Sequence, residues 1–81
     1  MICQVLLFAQ LREAIGQDRL SIELRDGATV DEALDVLVSR HEPIAGIRSQ
    51  LAVAVDEKYR PRSFTLSDGD VIALIPPVSG G

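Results

Sequence analysis

The sequence predicts an α+β roll, a mixed sheet of about five strands packed on one side against a single long helix. Two nearly unbroken apolar runs, "ICQVLLF" at residues 2–8 and "VIALI" at residues 71–75, stand at opposite ends of the chain, and strands apolar on both faces belong at a sheet centre. Only one segment, beginning at Val30, carries a long apolar stripe of helical period. The intervening segments are short and alternate with period two, or are bounded by turn residues.

Each element follows from its residues. The first run is a central strand whose alternation sets Ile2, Gln4, Leu6 and Phe8 on one face and Cys3, Val5 and Leu7 on the other. "AQLREAI" at 9–15 switches to good helix formers and meets Gly16, a favoured residue just past a helix end. "LSIEL" at 20–24 alternates as a half-buried strand does, and Asp26 and Gly27 turn the chain.

Thr29 and Glu32 fit a capping box, the Thr29 hydroxyl accepting from the Glu32 amide and the Glu32 carboxylate reaching back to the Thr29 amide. Apolar residues at Val30, Ala33, Leu34, Leu37 and Val38 then form one helix face, until Glu42 and Pro43 forbid continuation. "LAVAV" at 51–55 is a further strand, 56–58 a turn, and 63–66 a short edge strand after Pro61. Asp68, Gly69 and Asp70 lead into the last strand, which should lie parallel to the first if the two are neighbours.

Composition narrows the function. Eighty-one residues, 47% of them hydrophobic and 25% charged, make one soluble domain, residues 1–75, that buries only about 60 to 65% of its unfolded surface. With no run near the roughly 20 apolar residues of a membrane span and no signal peptide, the expected location is cytoplasmic. One cysteine and one histidine exclude an internal disulfide and a soft-ligand metal site. A net charge of -4 argues against nucleic acid and anionic membranes, and makes a basic protein surface the natural partner.

The first and last strands also carry large apolar groups on the face that the long helix cannot cover. Either a protein partner binds there, or loops such as 43–50 fold over it.

Beyond Ile75 stands "PPVSGG", a tail of residues 76–81. Pro76 and Pro77 lack amide hydrogens and end the ladder. Six extended residues at about 3.3 Å each reach roughly 20 Å, enough to enter another protein's active site. Val78 can anchor in a pocket, Ser79 follows it, and Gly80 and Gly81 have no side chains to obstruct a narrow channel. Their carboxylate is a poor electrophile, so chemistry on it requires ATP-driven adenylation by a separate enzyme. Nothing in the chain does this alone, because its glycines match no nucleotide-binding spacing. Cys3, in a central strand, is a buried and inert thiol. His41, at the end of the long helix, serves a capping or surface role rather than catalysis. Asp31, Glu32 and Asp35 suit the helix N-terminus.

"LLFAQLREAIG" at 6–16, "DGATVDEAL" at 26–34, "LAVAVD" at 51–56 and "LSDGDVIALIPPVSGG" at 66–81 together resemble the small subunits of molybdopterin synthase, ubiquitin-like β-grasp sulfur carriers, over essentially the whole chain. The resemblance implies that an E1-like activating enzyme adenylates Gly81 with ATP and that a persulfide donor converts it to a thiocarboxylate. The tail, Pro76 to Gly81, then threads into the catalytic large subunit, which builds the dithiolene from cyclic pyranopterin monophosphate. The chain binds no cofactor and is not an enzyme by itself. The resemblance matches Phe8, Tyr59 and Ile75 to positions that contact the large subunit. Tyr59 stands where an aliphatic residue is more usual, and Ser79 where threonine is common. Arg12 and Glu13 match a family pair that is either a partner contact or a solvated helix pair. A carrier for thiazole or another biosynthesis, or a ubiquitin-like protein modifier, would use the same tail.

Overall fold

Alternation organises the first strand as expected. In β1 (Ile2–Leu7), Cys3, Val5 and Leu7 are buried, whereas Ile2, Gln4 and Leu6 keep part of their surface in solvent. The structure, a computed structural model, describes residues 1–77. A sharp break follows β1: Phe8 is extended and caps α1 (Ala9–Ile15), which ends at Gly16 with φ 82°, a conformation that glycine adopts without steric cost.

Five strands form one sheet in the order β2-β1-β5-β3-β4. β5 (Val71–Ile75) lies parallel to β1, with Gln4 opposite Val71 and Leu7 opposite Leu74. β2 (Arg19–Glu23) pairs antiparallel on the outer side of β1, and β3 (Ala52–Val55) antiparallel on the far side of β5. The two apolar runs at the ends of the chain therefore sit inside the sheet, between the half-polar β2 and the short apolar β3. The core gathers Cys3, Val5, Leu7, Ile72 and Leu74 against Leu34 and Leu37 of α2 (Val30–Arg40).

The fourth strand is not where the sequence pattern puts it. β4 is Lys58–Tyr59, paired with β3, and residues 63–66 form no strand beyond an isolated bridge between Thr29 and Thr65. The reason lies in two local demands. Asp56 and Glu57 both take positive φ, 49° and 74°, the conformation of a two-residue hairpin turn, so the chain folds straight back on β3. The later segment is drawn to the start of α2, whose first amides need acceptors. Val30 donates to the Phe64 carbonyl (3.0 Å) and Asp31 to that of Arg62 (2.9 Å).

Half of the expected capping box forms. Thr29 Oγ1 accepts from the Glu32 amide at 3.3 Å, but the Glu32 carboxylate turns to Arg25, whose Nε donates to it at 2.7 Å. Arg25 engages both carboxylate oxygens in a bidentate ion pair, an arrangement stronger than a single bond to one amide, so Glu32 does not reach back to Thr29.

Past His41, which caps α2 by donating its amide to Leu37, Pro43 sits in the first turn of a third helix, α3 (Glu42–Ile47), a position where its missing amide costs nothing. A 3-10 turn at Arg48–Gln50 follows. Ile44 is fully buried in the core, and Arg48 pairs with Asp31 (2.8 Å) and Asp35 (2.6 Å) of α2. Residues 43–50 thus pack among the helices, on the side of the sheet already covered. They leave the opposite face open.

Candidate functional site: an apolar sheet face beside the last strand

The open face is built from the residues that alternation turns away from α2. Strand register sets Leu6 opposite Ala73, Ala73 opposite Ala54, and Ala54 opposite Tyr59, a row running across four strands. Around it lies a shallow depression of about 860 Å³ lined by Leu6, Phe8, Ala54, Tyr59, Ala73 and Ile75, with Asp56, Glu57 and Val71 closing one end. Phe8 and Tyr59 keep 41% and 72% of their surface exposed. Large apolar groups held out of the core in this way mark a surface that a partner covers.

Phe8, Tyr59 and Ile75, which the family resemblance assigns to a partner contact, line one surface. They reach it from three elements: Phe8 from the break before α1, Tyr59 from β4, Ile75 from the end of β5. Leu7 and Leu74 are register partners, so the chain leaves the sheet after Ile75 at the same end where Phe8 stands. Of the predicted tail residues, Pro76 is buried and Pro77 exposed. Val78, Ser79, Gly80 and Gly81 lie outside the described residues.

Sequence reasoning missed Ala54, Asp56 and Glu57. Ala54 was legible only through its register with Tyr59, which requires β4 to be known. The two acidic residues read as an ordinary turn, with nothing to show that the turn borders the apolar face.

Cys3 and Arg48 have structural settings. Cys3 is fully buried and its sulfur lies 3.6 Å from the Ser67 carbonyl; burial, helped by the nearby Asp70 carboxylate, pushes its thiol pKa up. The Arg48 guanidinium is held more firmly protonated by its bonds to Asp31 and Asp35. Among the described residues no group of three His, Cys, Asp or Glu side chains could hold a metal ion, and no helix is long and apolar enough to cross a membrane.

A five-stranded mixed sheet wrapped around one principal helix, with its outer face apolar, defines a ubiquitin-like β-grasp protein. The chain belongs to the ThiS family, whose model matches residues 5–81. It is 37% identical over 78 residues to the molybdopterin synthase sulfur carrier subunit of Arabidopsis thaliana, an alignment covering 96% of this chain and 81% of that protein. Among solved structures it is similar to the small archaeal modifier protein 1 of Haloferax volcanii, at 28% identity and a TM-score of 0.85 over 95% of this chain and 98% of that one. It also matches a protein-protein complex of subunits 1 and 2 of the molybdopterin-converting factor from Helicobacter pylori, at 27% identity and a TM-score of 0.70, covering all of both chains.

Proposed function

We propose that this protein is the sulfur carrier subunit of molybdopterin synthase, bringing sulfur to the catalytic large subunit as a thiocarboxylate on Gly81. The observation that carries the reading is the coincidence of an open apolar face with the strand from which the tail departs: Phe8 and Ile75 border one depression. A protein docked on that face receives the tail at the same time. Likeness to relatives named as sulfur carrier subunits supports the same assignment.

The chemistry is supplied by partners. An E1-like enzyme joins the Gly81 carboxylate to AMP, releasing pyrophosphate from ATP. The terminal sulfur of a persulfide then displaces AMP, and a thiol breaks the resulting S–S bond, supplying two electrons and leaving the thiocarboxylate. In the large subunit that soft nucleophile attacks the pterin precursor, and hydrolysis returns the carboxylate. The carrier contributes tethering and orientation, which convert a bimolecular sulfur transfer into a local one. These steps belong in the cytoplasm, with ATP consumed by the activating enzyme and no cofactor held by the carrier.

Intact mass spectrometry after incubation with activating enzyme, ATP and a persulfide donor tests the first half: an oxygen-to-sulfur mass change at Gly81 is expected, and its absence would overturn the carrier reading. Mixing the charged protein with large subunit and precursor tests the second half through dithiolene product. The likeness to a protein named as a modifier favours one second reading, in which Gly81 is joined to target lysines; isopeptide-linked products, with no sulfur gained, would select it.

A further inference from the structure

We propose that Ala54 and Ala73 form the floor of a receptor for one large apolar side chain of the docked protein, and that a cationic side chain beside it meets Glu57. The proposal rests on the reading of this face as the large-subunit contact and specifies what that partner must present.

The register places the two alanines side by side, between Leu6 on one flank and Tyr59 on the other. With strands about 4.8 Å apart, the flanking side chains stand roughly 14 Å from each other, and only two methyl groups lie between them. At the tail end the trough is bounded by Phe8 and Ile75, and at the other by Val71. A flat apolar partner would bridge these walls and leave a void, forfeiting the dispersion contacts of its lining. A protruding aromatic or long aliphatic group fills the same space, and anchors of that kind in a central pocket dominate interface energies.

Charge fixes the rest of the occupant. Asp56 is already engaged, its Oδ1 accepting from the Val71 amide at 3.0 Å. Glu57 is exposed at the rim of the depression, and among the described residues its carboxylate has no ion-pair or hydrogen-bond partner. Lys58 cannot serve it from across the sheet: it pairs with Val55, a buried residue on the helix side. A chain of net charge -4 with a free carboxylate beside an apolar trough is complementary to an Arg or Lys adjoining the inserted apolar group, and such rim charges govern encounter rate and salt dependence.

The test is calorimetric titration of the full-length chain against the large subunit. Ala73→Leu fills the trough and is expected to weaken binding about tenfold or more. Tyr59→Ala removes one wall at an exposed position and is expected to weaken binding with no change in the melting temperature. Glu57→Gln is expected to cost about fivefold at low salt, with the gap closing near 1 M salt, where screening length falls to about 3 Å. Wild-type affinity in both Ala73→Leu and Tyr59→Ala overturns the receptor. Unchanged affinity and salt slope in Glu57→Gln overturn the cationic contact. Failure of the wild-type chain to bind the large subunit overturns instead the functional reading beneath them.

Discussion

Asp56 and Val71 exchange two hydrogen bonds: the Val71 amide donates to Asp56 Oδ1 at 3.0 Å, and the Asp56 amide donates to the Val71 carbonyl at 2.9 Å. This pair closes the end of the β3–β5 ladder and holds the positive-φ turn against the first residue of the last strand. Asp56→Ala removes the acceptor, leaves the Val71 amide without its partner, and puts a residue less tolerant of φ 49° at the turn. A loss of about 1–2 kcal/mol is expected, which for a domain of this size lowers the melting point by roughly 4–8 °C per kcal/mol. Asp56→Asn keeps both the acceptor and the left-handed tolerance and should melt close to wild type. Thermal unfolding followed by circular dichroism distinguishes the two; equal losses would remove the hydrogen bond as the cause.

Most of the layout was legible because the signals were local and periodic. Two apolar runs gave the central parallel pair, the Thr29 cap located the start of α2, and Gly16 and Gly27 marked turns with positive φ. Non-local competition accounts for the misses. Residues 63–66 have a strand-like pattern, but the amides of Val30 and Asp31 compete for acceptors at Phe64 and Arg62. Glu32 suits a capping box, but Arg25, seven residues earlier, takes its carboxylate. Whether 43–50 cover the open face depends on where Ile44 finds a core, and the sequence leaves that undecided. The shared position of Phe8, Tyr59 and Ile75 was read from a resemblance, whereas the alanine floor between their elements depends on the register of β3 with β4.

Phe8 separates docking from folding. Its backbone caps α1, with its carbonyl accepting from Leu11 at 3.1 Å, but its side chain makes no capping bond and lies 41% exposed. Aspartate is a favoured N-cap residue because its carboxylate accepts from the first-turn amides. Phe8→Asp should therefore hold or slightly raise the melting temperature while weakening binding to the large subunit by about tenfold or more. A variant that melts early, or binds as wild type, would remove Phe8 from the docking surface.

Cys3 carries the chain's one thiol, and the fold keeps it out of the reaction. Its thiol is fully buried, and burial raises its pKa above the ordinary value of 9.0. The neutral thiol is favoured in the folded state, so its contribution to stability is complete below the unfolded-state value and is lost as pH rises toward the folded one. Cys3→Ala should be less stable than wild type at neutral pH, by about 1 kcal/mol, with the difference shrinking as pH climbs past about 9. Denaturant titrations at several pH values read this out. The same variant should retain sulfur transfer, and native protein should react with a thiol reagent only at the rate of its opening.

The tail can be tested for separability from the fold. Leu74 is the last fully buried apolar side chain of β5, with Pro76 still buried and Pro77 exposed, and among the described residues the core cluster draws on none past Leu74. Deletion of Gly81 removes the reacting carboxyl together with one residue of reach, about 3.3 Å. The truncated chain should unfold at the wild-type temperature and denaturant midpoint, and should still bind the large subunit through Phe8, Tyr59 and Ile75. It should transfer no sulfur, because a carboxylate now ending at Gly80 falls short of the reaction centre even if it is activated. The discriminating measurement is a pair, a melting curve and a single-turnover transfer assay on the same preparation. A large fall in melting temperature would show that the tail stabilises the domain, and undiminished transfer would show that the length of the glycine terminus is not what delivers the sulfur.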